Sequence, residues 1–235
     1  MPRRPRVSIP GYPEHIIQRG NNRQPIFASD EDFKAYAYWL REYAEKFEVA
    51  IHAWVFMTNH VHLLCTPRSS MGVSKMMQSL GRQYVRYFNY SYQRSGTLWE
   101  GRFRSCLVQN QDYLFHLYRY IELNPVRANM VADPAEYSWS SYQCNGLGKR
   151  SKLLTPHQCY LSLGHTNEMR CNVYRGMFRE QVSVKLIDDI RLATNKGLAL
   201  GNDKFKDRIE ALTGQRQKEI KRGRKVGWRK EQKKK

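Results

Sequence analysis

The sequence predicts an α+β fold: a ferredoxin-like, split βαβ antiparallel sheet with helices packed on one face, followed by a mainly helical, basic C-terminal extension. Three observations predict it. Over roughly the first 130 residues, strand-like and helix-like periodicities follow in the order strand, helix, strand, strand, helix, strand, helix. Two adjacent strand runs are separated by little more than Thr58-Asn59-His60, which demands an antiparallel hairpin. Finally, 235 residues of which 41% are hydrophobic supply enough apolar material for a core.

The elements follow in order. His15-Ile16-Ile17-Gln18 forms a short strand that ends in the turn signal Gly20-Asn21-Asn22. Ser29-Asp30-Glu31-Asp32 reads as a capping box with Asp in the place of Glu, and Phe33, Ala37, Leu40, Ala44 and Phe47 recur at helical spacing, so a helix runs from about 30 to 47. Residues 50–57 and 61–65 are the β-rich runs of the hairpin. Val73, Met76, Met77, Leu80, Tyr84, Tyr87 and Phe88 make the apolar face of a helix from about 71 to 92. Phe103 to Gln109 is a strand, and a helix begins near Asn110, with Asp112 in its first turn, and stops near Asn124, the residue before Pro125. Beyond about residue 145, helices are expected over Asn167–Ala193, with Phe178, Val182, Leu186 and Ile190 as its stripe, and over Lys204–Leu212. The chain therefore divides into residues 1–145, a helical extension over 146–214, and a basic disordered tail over 215–235.

Charge narrows the partner class. Forty Lys or Arg against 21 Asp or Glu leave a net +19. Residues 216–235 hold eleven Lys or Arg and two Glu, a net +9, and Arg3, Arg4 and Arg6 add +3, leaving +7 on residues 7–215. Such arms bind phosphate backbones without reading sequence. No apolar run is long enough to span a bilayer, no signal segment follows Met1, and five scattered cysteines without a C-x-x-C pair argue against a disulfide framework. A soluble, cytoplasmic, nucleoid-associated protein is expected, with no membrane partner.

His60-Val61-His62 is the sharpest chemical feature. Residues i and i+2 of a strand share a face, so both imidazoles could hold one divalent cation. Chance supplies roughly 0.2 such pairs in a chain of this length and histidine content, so spacing alone weighs a metal site evenly against two half-buried polar residues. On the later helix, Tyr113, His116, Tyr120 and Asn124 fall on one side while Leu114, Leu117, Tyr118 and Ile121 occupy another and can pack on the sheet. A tyrosine one turn before an amide can act as a nucleophile while the amide oxygen helps hold a metal; with 15 tyrosines in the chain, an interfacial tyrosine is the ordinary alternative. Lys75, Gln78, Arg82 and Arg86 form a stripe on the helix over 71–92. With Tyr84 and Trp99 nearby in sequence it suits backbone tracking and base stacking, and equally an ordinary solvated face.

Three segments carry a resemblance. Phe56-Met57-Thr58-Asn59-His60-Val61-His62-Leu63-Leu64, then Leu98-Trp99-Glu100-Gly101-Arg102-Phe103, then Tyr118-Arg119-Tyr120-Ile121-Glu122-Leu123-Asn124-Pro125-Val126-Arg127-Ala128 occur in this order. Over roughly residues 9–130 the chain resembles the single-tyrosine HUH transposases, especially the REP-associated tyrosine transposases related to small insertion-sequence enzymes. Leu154-Thr155-Pro156-His157 and the stretches 198–202 and 212–214 look similar to C-terminal segments of that branch.

The resemblance implies a ferredoxin-like fold and a metal-dependent DNA transposase. It implies that His60 and His62 bind Mg²⁺ or Mn²⁺, that Tyr120 is the nucleophile, and that Asn124 is the third ligand, where insertion-sequence relatives have Gln, one methylene longer. It also implies single-stranded, hairpin-forming DNA as substrate, cleaved and rejoined through a 5′-phosphotyrosine by a monomer or homodimer. Arg3, Arg4, Lys75, Arg82, Arg86 and Arg102 are the expected DNA contacts. Two rivals stand beside this reading: a basic, non-catalytic nucleic-acid-binding module with structural histidines, and a replication-initiator or relaxase-like nickase.

Overall fold

A computed structural model of the chain describes residues 5–110, 113–180 and 182–219. Its elements are β1 (Glu14–Arg19), α1 (Asp30–Lys46), β2 (Val49–Met57), β3 (His60–Pro67), α2 (Gly72–Ser91), β4 (Arg104–Leu107), α3 (Leu114–Glu122), α4 (Asn124–Arg127), α5 (Tyr142–Asn145), α6 (Gln158–Leu161), α7 (Asn167–Gly176), α8 (Val184–Lys196) and α9 (Asp203–Thr213). The strands form one antiparallel sheet in the order β2-β3-β1-β4, the order of the expected split βαβ arrangement.

Alternation along the strands makes two cores. Ile16, Trp54, Phe56, Val61 and Leu63 face α1 and α2, whose Tyr36, Leu40, Met76, Leu80 and Tyr84 complete one apolar layer. Ala53, Val55, Met57, Leu64 and Cys106 point to the other face, where Leu114, Leu117 and Ile121 of α3 pack together with Tyr174 of α7 and Ile190 of α8. The expected layering on a single face therefore holds for α1 and α2 only. The continuous apolar run at Ala53 to Met57 is why α3 lies opposite, since a strand buried on both sides needs a cover on each.

The predicted capping box at Ser29 and Asp32 is present, with the Asp32 carboxylate accepting from the Ser29 and Ala28 amides at 3.1 and 2.7 Å. Gly20 closes the turn after β1: a Cβ there would lie 2.3 Å from the Gln24 carbonyl oxygen, so no other residue fits. Two boundaries differ from expectation. The last helix of the sheet domain starts at Leu114 rather than near Asn110, and Asp112 lies outside the described residues. The single helix expected over Asn167–Ala193 is α7 and α8 with a break between, because Ser183 caps a new helix by accepting from the Leu186 amide.

Segments after residue 130 run along both outer strands. Beside β2, the Phe56 amide donates to the Trp139 carbonyl and the Ser141 amide to that of Trp54, while the Thr155 amide reaches Ile51. Beside β4, the Leu200 amide donates to the Leu107 carbonyl and the Gln109 amide to that of Leu200. All five cysteines are unpaired thiols, and among the described residues no helix is long and apolar enough to cross a membrane.

Candidate active site

A cavity of about 390 Å³ opens on the α3 side of the sheet and is lined by His60, His62, Tyr120 and Asn124 together. Strand alternation positions the first two. Pairing sets Ile17 opposite His62 and Arg19 opposite His60, so Ile17, Arg19, His60 and His62 share one face while Val61 and Leu63 turn into the α1/α2 core. Helical spacing positions the third: Leu114, Leu117, Tyr118 and Ile121 are fully buried, and the side chain of Tyr120 borders the cavity with its ring 5.6 Å from that of His62. The helix ends at Glu122 as expected ahead of a proline, and Asn124 opens the short α4 with Pro125 in its first turn.

Both imidazoles are neutral at neutral pH. Burial lowers His60 to about 4, with the nearby Arg19 and Arg127 charges adding to the effect, and burial first, then His60, His15 and the same arginines, hold His62 well below its ordinary value. The Asn59 amide donates to the Arg23 carbonyl at 3.0 Å, which leaves its oxygen to accept from His60 Nδ1–H at 2.7 Å and frees the His60 Nε2 lone pair. His62 Nδ1 lies 2.9 Å from His15 Nε2. The Asn124 amide nitrogen is buried without a hydrogen-bond partner, and the oxygen of that amide is a hard donor beside two imidazoles. Among the described residues no group of three or more His, Cys, Asp or Glu is assembled for a metal, so a cation here depends on this N,N,O set. The set suits a divalent ion that keeps positions for water or phosphate oxygens.

The cavity is also strongly cationic. Arg19, Arg102, Arg104, Arg127 and Arg191 line it, with Glu100 as the one carboxylate. Among the expected DNA contacts only Arg102 is in this wall. Lys75, Arg82 and Arg86 line a second groove of about 700 Å³ on the α2 side, with Trp99, Met77 and Phe103. The two concavities share Gly101 and Arg102, so the groove leads round the start of β4 into the cavity. Gly101 has φ +140, backbone open to glycine, and its carbonyl accepts from the Gln18 amide at 3.1 Å. Tyr84 does not join Trp99 as a stacking surface: it is fully buried and donates to the Ile26 carbonyl at 2.6 Å. Arg3 and Arg4 lie outside the described residues. Sequence reasoning did not single out Arg19, Arg104 and Arg191. Arg19 had a signal, being two positions beyond Ile17 on the face that pairs with the histidines; Arg191 had none.

Residues 10–124 match the model of the IS200-like transposase family. Among solved structures the chain is similar to a REP-associated tyrosine transposase bound to a REP hairpin, at 18% identity and a TM-score of 0.52, over 67% of this chain and 93% of that one. It also overlaps a structure described as a candidate transposase from Deinococcus radiodurans R1, at 21% identity, 52% and 96% coverage and a TM-score of 0.36. No curated protein matches the chain.

Proposed function

From the match of residues 10–124 to the model of the IS200-like transposase family, we propose that the chain is a member of that family and a metal-dependent, single-tyrosine transposase that cleaves and rejoins single-stranded hairpin DNA. The convergence of His60, His62, Tyr120 and Asn124 on one cavity carries this reading. The hairpin is suggested by the DNA bound to the REP-associated neighbour.

Tyr120 attacks the scissile phosphorus. A bond forms between the phenolic oxygen and phosphorus, the bond to the 3′ oxygen breaks, the phenolic proton is lost and the departing oxygen takes one up. The products are a 5′-phosphotyrosine and a free 3′-hydroxyl, and attack by a second strand's 3′-hydroxyl reverses the step without ATP. The arginines of the cavity offset the charge of the phosphate and fix its orientation. His60, His62 and Asn124 would hold a Mg²⁺ or Mn²⁺ ion, which when bound supplies Lewis-acid polarisation of the phosphate. The groove beside α2 gives the unpaired strand a path: Lys75, Arg82 and Arg86 have no ion-pair partner among the described residues, and the half-buried Trp99 offers apolar surface for bases.

Incubation with labelled hairpin DNA and Mn²⁺ tests this. The unaltered chain forms a denaturant-resistant adduct that Tyr120→Phe abolishes, and His60→Ala or His62→Ala stops cleavage while hairpin binding persists. An undiminished adduct in Tyr120→Phe would remove the nucleophile assignment. Binding without any adduct in the unaltered chain would favour the non-catalytic module.

A further inference from the structure

His62 is not held by its own strand neighbours alone. His15 of β1, fully buried, places Nε2 2.9 Å from His62 Nδ1, with the two rings within 10° of parallel. The other nitrogen of His15, Nδ1, lies 2.8 Å from the hydroxyl of Thr194 in α8. That hydroxyl donates its one proton to the Ile190 carbonyl at 2.8 Å.

Proton counting then fixes every direction in the chain. A carbonyl can only accept, so the Thr194 proton is spent on Ile190 and the hydroxyl must accept from His15 Nδ1–H. A cationic His15 is excluded by full burial with no carboxylate against it, so its Nε2 carries a lone pair and accepts from His62 Nδ1–H. His62 is left with a bare Nε2 lone pair, the same tautomer that Asn59 imposes on His60.

Resting on the metal-dependent reading above, we propose that Thr194 and His15 are positioning residues that lock His62 in the Nδ1–H tautomer, so that helix α8, beyond the residues matched by the family model, completes the metal site. Outer-shell partners of this kind fix both ring orientation and the ligating nitrogen. The Cys106 thiol, 3.4 Å from the Thr194 oxygen, fits the same count, since an oxygen whose proton is spent can only accept from it.

The test is made on the full-length chain. In the metal-free protein, ¹⁵N NMR of the histidine side chains should show His62 protonated at Nδ1 and bare at Nε2. Thr194→Val, close in shape, should release the tautomer and weaken Mn²⁺ binding, measured by calorimetry, about tenfold or more. Thr194→Ser should restore both. Hairpin binding without metal should be unchanged throughout. A His62 protonated at Nε2 in the unaltered chain would overturn the proposal without any variant having to fold, as would a Thr194→Val chain with unchanged tautomer and Mn²⁺ affinity. The metal reading fails separately: Mn²⁺ binding undiminished in His62→Ala would overturn it while leaving the NMR result intact.

Discussion

The Arg127 guanidinium lies over the ring of Tyr120, 4.4 Å from its centroid, and its Nη2 donates to the Tyr120 carbonyl at 2.7 Å. Its Nη1 is buried with no partner, a donor left over at the edge of the cavity. A phosphate oxygen would satisfy it, and a fork geometry is what lysine lacks. Arg127→Lys should therefore keep the charge but lose a charge-assisted hydrogen bond of about 1.5–3 kcal/mol, which corresponds to about 10- to 150-fold slower adduct formation in a single-turnover assay. An unchanged rate would show that the spare donor does not meet the phosphate. That His60, His62, Tyr120 and Asn124 share one site was legible in the sequence because the histidines lie two residues apart on one strand and Tyr120 and Asn124 four apart across the α3–α4 junction. Arg104, Arg191, His15 and Thr194 were not, because they reach the site from β4, α8 and β1, and only the folded chain brings those elements together.

Helix α3 is fastened through the residue at its C-terminal end. Its buried Glu122 accepts from Ser141 at 2.5 Å and Asn145 at 2.9 Å on one oxygen and from Tyr174 at 2.7 Å on the other, tying the helix that carries Tyr120 to α5 and α7. Burial outweighs those three bonds and raises the carboxyl to about 7. The folded state thus binds this proton more tightly than the unfolded chain does. The resulting stabilisation is full below the ordinary value of 4.5 and is lost as pH rises through 7. Glu122→Gln, neutral throughout, should flatten the fall in stability between pH 5 and 8 and leave the variant on the order of 2 kcal/mol more stable than the parent at pH 8, by urea unfolding. Glu14, also raised to about 7 by burial, would keep a residual slope. A variant that loses stability with pH in parallel with the parent would exclude Glu122 as the source. The elements up to β4 were readable because their periodicities are uninterrupted. Beyond β4, α9 and the helical stretch from Asn167 were readable, whereas α5 and α6 were not, because helices that short bury residues through tertiary packing rather than through a repeating stripe.

At the scale of the whole molecule, charge divides between a cationic body and a more strongly charged end. Residues 220–235, outside the described structure, carry nine Lys or Arg and one Glu, a net +8. Removing them should make the salt dependence of single-strand binding shallower, by up to about 6 in the slope of log K against log salt if every net charge meets a phosphate. Adduct yield at saturating DNA should stay the same, because Tyr120, His60, His62 and the cavity arginines all lie in the body. An unchanged slope would mean that the tail never touches the strand.

The segments that run beside β2 and β4 have a bearing on solubility. An outer strand with free amides and carbonyls is a template on which another chain can lay itself down, and in this sheet backbone from residues 139–155 and 200 occupies those positions on both sides. The residues matched by the IS200-like transposase family model end at 124, before either cover begins. Cut out alone, that stretch would expose two sticky borders and the apolar surface that Tyr174 of α7 and Ile190 of α8 now cover, so the later residues act as its built-in guard against self-association.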